Sequence, residues 1–270
     1  MTQYEYKRET QRQMDTDPCP AETDNDRVGS ESFYSAVRAH RYQVYAPWFD
    51  EVVRFGDWNG KDVLEIGVGL GSDHFRFASS GARVTSVDLS GEHLRHAQRH
   101  LTLNRLHSRP TFGDAESLPF RDSSFDLVYA FGVLHHTPNI DGAVAEVWRV
   151  LRPGGTAIVG LYHRDSIFLL QTVILQGIMK LGLIRKGWRR LLADIEYHSE
   201  RNEAVPLVNV YTRTFVRKLF SRFGSVSVSS CHVEKWHFSK LHFLLARIRR
   251  STLERMFGRY GWYLIVRATK

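Results

Sequence analysis

The sequence predicts an α/β fold in which a mostly parallel sheet carries helices on both faces. Three observations carry that expectation. Val63, Leu64 and Ile66 form the kind of short apolar run that belongs to a strand buried on both faces. The run ends in a glycine-rich bend, Gly67-Val-Gly-Leu-Gly71, which feeds a helix starting near Ser72 or Asp73. Further strand-like runs at 83–88, 110–112, 125–131 and 156–161 alternate with helical patterns, the order that βα units produce.

The bend is the first chemical landmark. Glycines at 67, 69 and 71 let the backbone approach a ligand more closely than a side chain would allow, where helix N–H groups and the helix dipole converge. That makes a cofactor cradle. A dinucleotide fingerprint would read Gly-x-Gly-x-x-Gly, and here the third glycine arrives one residue early. Glu65, inside the strand, would repel a phosphate but attract a cationic or amino-bearing ligand. The pattern disfavours a nicotinamide dinucleotide.

Later stations narrow the choice. The run 83–88 ends in Asp88, Asp114-Ala-Glu116 follows the third strand, 125–136 reads as the fourth strand and its loop, and Val150-Leu-Arg-Pro-Gly-Gly155 precedes the fifth. Together with Glu65 to Gly71, these stations resemble the class I S-adenosylmethionine-dependent methyltransferases, in the type 11 branch that includes ubiquinone and menaquinone methyltransferases. The resemblance covers 61–162. It implies a Rossmann-like sheet of seven strands with the last antiparallel, helical insertions late in the chain, and S-adenosyl-L-methionine as cofactor. On that resemblance Glu65 fixes the bend or meets the methionine amino group through water, and Gly67, Gly69 and Gly71 admit the methionine and ribose. Asp88 accepts from the ribose hydroxyls and Leu89 packs on the adenine. Asp114 accepts from the adenine amino group beside Ala115 and Glu116, while Phe131 and Gly132 lend backbone near the methionine amino group.

Composition sets the frame. The chain has 270 residues, enough to bury a full core, and a single domain over 30–270 is the expectation. Its 37 Lys and Arg against 29 Asp and Glu give a net charge of +8, which admits an anionic partner without specifying nucleic acid. Cys19 and Cys231 are too few for a disulfide framework, which fits a reducing, cytoplasmic setting. The 13 histidines show no ligand spacing, so no metal is implied. The first residues lack the apolar stretch of a signal peptide.

Residues 1–29, polar and broken by Pro18, Pro20 and Gly29, read as disordered or loosely draped. Across 30–58, apolar residues recur at helical spacing. The plain reading is helices packed on the sheet edge; the resemblance makes them a lid, with Tyr34, His40, Arg41 and Tyr45 as acceptor-pocket candidates. His93, Arg95, His96, Arg99 and His100 read as a solvated helix face.

Two helical insertions are expected, at 165–210 and 233–260. The stretch 167–184 is strongly apolar but interrupted by Gly177 and Gly182, then followed by Arg185, Lys186, Arg189 and Arg190. It makes a poor spanning helix and reads either as a packed, pocket-lining helix or as an interfacial one. Residues 235–258 interleave basic and apolar side chains in the same way. On the sharper reading the two form a basic, apolar-lined mouth for an amphiphilic or anionic acceptor, with peripheral membrane contact through 167–190 and 235–258.

The chemistry that the resemblance implies needs little from the protein beyond positioning. A sulfonium methyl group is displaced in line, so near-attack geometry with water excluded supplies most of the rate, and a base adds about 10²–10⁴-fold where the acceptor must lose a proton. His135 and His136 on the loop after the fourth strand, and Tyr162 and His163 at the end of the fifth, are the candidates. Three functions remain open. The favoured one is methylation of oxygen or carbon on a small amphiphilic or secondary-metabolite acceptor. RNA or protein methylation is suggested only by net charge, and Gly132-Val-Leu-His-His stands where an Asn/Asp-Pro-Pro-Tyr loop for amino methylation would, so nucleic acid is disfavoured. A non-catalytic S-adenosylmethionine-binding module is the third.

Overall fold

Apolar runs that cannot be left in water on either face assemble into one sheet. The structure, a computed structural model, describes residues 2–16, 27–179, 181–195, 205–235, 237–238 and 247–270. Its strands are β1 (Asp62–Ile66), β2 (Arg83–Asp88), β3 (Arg109–Phe112), β4 (Phe125–Phe131), β5 (Leu151–Tyr162), β6 (Ser225–Cys231) and β7 (Tyr263–Thr269). Among the described residues they form a seven-stranded sheet in the order β3-β2-β1-β4-β5-β7-β6. Strands β1 to β5 pair in parallel, and β7 runs antiparallel to both β5 and β6. The expected mostly parallel sheet with a reversed last strand is what the chain builds.

The helices are α1 (Gln3–Thr16), α2 (Glu31–Ala39), α3 (Phe49–Val53), α4 (Ser72–Ser79), α5 (Gly91–Leu103), α6 (Ile140–Val150), α7 (Ile167–Thr172), α8 (Gly182–Ala193), α9 (Arg213–Leu219) and α10 (Arg250–Phe257). Strand alternation divides the core between two faces. Leu64, Val128, Ala130 and Val159 pack with Val144 and Val147 of α6 and Val216 of α9. Val63, Leu127, Tyr129 and Ile158 pack on the other face with Phe49 of α3, Phe77 of α4 and Leu101 of α5.

Capping matches the sequence closely. Ser90 caps α5 by accepting from the His93 N–H at 3.1 Å, and Asn139 and Thr212 cap α6 and α9 in the same way. Gly71 precedes α4 with a left-handed φ of +77°, and a Cβ there would lie 2.8 Å from Ala97 Cα on α5. It serves the close packing of two helices.

Three expectations change. Residues 3–16 are not loosely draped: they form α1, whose Lys7 pairs with Asp114 at 2.5 Å and Glu116 at 2.6 Å, and whose Asp15 accepts from Ser90 Oγ at 2.6 Å. Ionic and polar contacts hold this helix in place of an apolar stripe, so hydropathy gave no sign of it. His93 and His100 are not a solvated face. They lie inward on α5, His100 donating from Nδ1 to Leu70 O at 3.1 Å and stacking against Tyr34, while Arg95 and Arg99 stay exposed. The apolar stretch from 167 is not one helix either. It runs through α7 into a π-helical segment, Val173–Met179, turns at Leu181 with φ 56°, and returns as α8. Gly177 permits the return, because even a Cβ there would lie 3.1 Å from Leu183 Cγ. No helix among the described residues is long and apolar enough to cross a membrane. Cys19, Pro18 and Pro20, and 196–204, 236 and 239–246 within the two insertions, lie outside the described residues.

Gly71→Ala meets both backbone strain and Ala97, whereas Gly132, with φ +76°, has nothing within 4 Å of where a Cβ would stand. Chemical denaturation should show Gly71→Ala losing about 2–4 kcal/mol and Gly132→Ala only about 1.

Candidate active site

In a doubly wound sheet the crevice opens at the carboxyl ends of the strands, where the winding reverses. Here that point is between β1 and β4, and a cavity of about 470 Å³ lies over it. One half is walled by Gly67, Gly69, Asp88, Leu89, Asp114 and Ala115; the other by Tyr45, Tyr162, Phe168, His232, Trp262 and Tyr263. Glu65, Asp73, Arg41, Phe131 and Gly132 lie on the same wall.

The first half is polar and built from backbone turns. Gly67 has φ +75°, and a side chain there would overlap Val133. Asp88 accepts from Ser90 N at 2.8 Å, and its other oxygen lies 3.2 Å from His93 Nδ1 and 3.5 Å from Gly69 N. His93 Nε2 is buried with no hydrogen-bond partner on this wall. An uncovered backbone bend, a carboxylate and an orphaned buried imidazole nitrogen side by side suit a ligand with vicinal hydroxyls. S-adenosylmethionine fits this donor set. Asp114 accepts from Glu116 N at 2.9 Å and pairs with Lys7, so α1 crosses this half through Lys7, Thr10, Gln11 and Met14.

Behind the bend is a buried ionic network. Asp73, 4% exposed, receives Nε of Arg41 at 2.7 Å, the Arg41 Nη2, Tyr42 OH at 2.5 Å and Tyr129 OH at 2.7 Å. Burial would raise its pKa, but the Arg41 charge and these hydrogen bonds hold it below the ordinary carboxylate range. Glu65 is the reverse case: burial, then the Asp73 charge, push its carboxyl well above the ordinary range, with Arg41 opposing. It lies 2.9 Å from His74 Nδ1, whose other nitrogen lies 2.6 Å from Ser108 Oγ. Burial, with His100 adding, lowers His74 to about 3. Glu65 and His74 therefore form a neutral pair beneath the bend.

The second half is aromatic. Tyr162 stacks between His135, at 3.7 Å, and Trp262, at 4.3 Å, and Phe168 meets Trp262 edge-on at 4.7 Å. Tyr45 hydrogen-bonds Tyr263 through their hydroxyls. His136 donates from Nδ1 to Leu207 O at 2.6 Å, which assigns the lone pair of the neutral ring to Nε2. A π-helical turn, His40–Tyr45, brings His40, Arg41 and Tyr45 to the cavity together.

Five candidates from the sequence fall outside this wall. His163 turns to the other face of β5 and donates to Gly261 O at 3.0 Å. His135 is wholly buried behind Tyr162, and burial drives its pKa well below the ordinary value. Tyr34 stacks on His100 at 4.4 Å and bonds His96. Gly71 packs α4 on α5, and Glu116 ties Lys7 to Thr137 and Asn139 N. Glu65, Gly67, Gly69, Asp88, Leu89, Asp114, Ala115, Phe131, Gly132, His40, Arg41, Tyr45, His136 and Tyr162 all line the cavity. Sequence reasoning missed Lys7, Asp73, His93, His232 and Trp262. Asp73, directly after the bend, was the one with a local signal.

Sheet order and crevice together match the fold that class I S-adenosylmethionine-dependent methyltransferases build. Residues 64–159 match the family described as a methyltransferase domain. The sterol 24-C-methyltransferase erg-4 of Neurospora crassa is 31% identical over 199 residues, 65% of this chain and 50% of that protein. The demethylmenaquinone methyltransferase of Tropheryma whipplei is 38% identical over 111 residues, 41% of this chain and 45% of that one. The chain thus spans about half the length of the curated relatives it matches. The solved S-adenosylmethionine-dependent methyltransferase of Mesorhizobium loti shares the fold, with a TM-score of 0.54 at 19% identity over 84% of this chain and 99% of that one.

The His74 pKa, lowered on folding, fixes a sign. Between pH 6.5 and 3 the unfolded chain binds a proton at His74 that the folded chain does not, so stability from this group is full above pH 6.5 and is lost on acidification. Urea unfolding at pH 7 and pH 5 should show His74→Gln losing about 2 kcal/mol less than the parent chain across that interval.

Proposed function

We propose that this chain is an S-adenosylmethionine-dependent methyltransferase acting on oxygen or carbon of a small, lipid-like acceptor. The observation that carries the reading is the continuity of one cavity from the glycine bend and Asp88 to an aromatic half at Tyr162 and Trp262. An apolar cavity with a few placed polar groups is suited to a small molecule. The names of the sterol and demethylmenaquinone relatives support a lipid-like acceptor.

When bound, S-adenosylmethionine supplies a methyl group on a positively charged sulfur. The chain's residues then have three tasks. Gly67 and Gly69 leave room for the donor, Asp88 with His93 takes the ribose hydroxyls, and Leu89 and Ala115 flank the adenine. Phe131 and Gly132 border the passage between the halves, and Tyr162 with Trp262 holds the acceptor and excludes water. His136, its tautomer fixed by Leu207, orients the acceptor or takes its proton at Nε2.

A membrane surface is the setting this reading implies, with the chain cytoplasmic and peripheral to it. Support comes from the insertion next to Phe168, where Leu170, Ile174, Ile178, Met179, Ile184 and Trp188 are exposed beside the exposed Arg185. An apolar patch with a cationic margin suits an anionic bilayer. Sedimentation with phosphatidylglycerol vesicles should exceed that with phosphatidylcholine, and Ile184→Asp should weaken it several-fold; equal sedimentation of the two proteins contradicts the contact.

The reaction itself is tested with methyl-labelled S-adenosylmethionine and a cell extract separated into lipid, polar small-molecule and polymer fractions. Label is expected in the lipid fraction; label confined to RNA or protein overturns the acceptor class. Asp88→Ala should weaken S-adenosylmethionine binding by about tenfold or more, whereas Asp122→Ala, at an exposed ion pair with Arg149, should leave it unchanged by calorimetry.

A further inference from the structure

We infer that His232 selects the acceptor, accepting at Nε2 a hydrogen bond from a hydroxyl carried on a flat ring system in the aromatic half of the cavity. The inference rests on the proposed transfer to a small lipid-like acceptor and narrows its substrate class.

His232 directly follows β6, is 2% exposed, and lies on the cavity wall. Its Nδ1 is buried 3.9 Å from Glu234 Oε1, beyond hydrogen-bond reach, and has no hydrogen-bond partner among the described residues. Of the other buried histidines, His136, His163 and His100 bond Leu207 O, Gly261 O and Leu70 O, whereas His135 and His237 lie off the cavity wall. A buried imidazole nitrogen left without a partner on a cavity wall is open to a ligand that completes the ring's hydrogen bonding.

The backbone points the same way. His232 has φ +68°, a left-handed conformation that a non-glycine side chain enters only under constraint, and its carbonyl accepts from Trp262 N at 3.1 Å. The constraint therefore joins the imidazole to a second residue of the same wall. Nδ1 faces Glu234, which leaves Nε2 toward the cavity. Burial, with the Arg250 charge adding, lowers the imidazole to about 4, so at neutral pH the ring is uncharged and Nε2 can accept.

The surroundings specify a flat partner. Tyr45 lies 5.1 Å from the imidazole, Tyr263 5.7 Å and Trp48 6.2 Å, centroid to centroid. Tyr263 in turn packs on Phe131 at 4.7 Å, so an acceptor anchored at His232 extends along aromatic faces toward the donor half. Rings stack on such walls, whereas a charged headgroup would be desolvated without a counter-ion.

The test uses the full chain loaded with S-adenosylhomocysteine and two matched flat rings, 2-naphthol and 2-methylnaphthalene, with binding read by calorimetry. The parent chain should prefer the naphthol by about tenfold or more. His232→Phe should erase that preference while binding of 2-methylnaphthalene and S-adenosylhomocysteine stays within about twofold, the range of sub-kcal/mol changes. His232→Asn, which tolerates the left-handed backbone and keeps a polar group, should retain part of it and decides the matter if the Phe variant does not fold. A parent chain with no preference, or an undiminished preference in either variant, overturns the inference. If that happens while label still reaches the lipid fraction, the methyltransferase reading stands without it; discrimination without lipid label is the reverse outcome.

Discussion

The buried pair of Arg41 and Asp73 is the interaction on which the site depends. Asp73 is 4% exposed and takes hydrogen bonds from Arg41, Tyr42 and Tyr129. A carboxylate so placed is tolerable only with its counter-charge present. The pair therefore fixes the π-helical turn of 40–45 against α4 directly behind the glycine bend. Arg41 also lies over the rings of Phe49, at 4.6 Å, and Phe131, at 5.8 Å, so the same guanidinium frames the passage between the two halves of the cavity.

Burial sets the state of the groups beside that ionised acid. It pushes Glu65 toward its neutral form, with the Asp73 charge adding, and keeps His74 unprotonated against the opposing Asp73 charge. Asp88, by contrast, faces backbone and imidazole donors at the end of β2. The half beside the glycine bend thus presents the Asp88 carboxylate, with the arginine-paired Asp73 held ionised behind it. The aromatic half carries His232, which burial keeps uncharged at neutral pH, among apolar walls. That division suits one cavity to a polar ligand at one end and an apolar one at the other.

How much of this could be read from the sequence follows from the range of the forces involved. Strands β1, β2 and β4 with the bend at Gly67 to Gly71 were legible because local apolar runs and glycines specify them, and Asp88 because a strand end presents it. Helix α1 was not, since its anchor, Lys7 on Asp114 and Glu116, spans more than a hundred residues and leaves no apolar period. The inward turn of His93 and His100 was masked by the arginines between them on α5. Consecutive candidates proved separable only in three dimensions: His136 reaches the cavity and His135 packs behind Tyr162, while Tyr162 faces it and His163 does not. His232 and Trp262 come together through the antiparallel pairing of β6 and β7, which no local pattern announces.

The most direct measurement is a double-mutant cycle on Arg41→Met and Asp73→Asn, read by calorimetric binding of S-adenosylhomocysteine to the folded variants. Each single change should weaken binding by about tenfold or more, and the double change should lose less than the two together, with a coupling of about 1.5 kcal/mol or more. Strictly additive effects, or binding indifferent to either change, would contradict the role given to the pair.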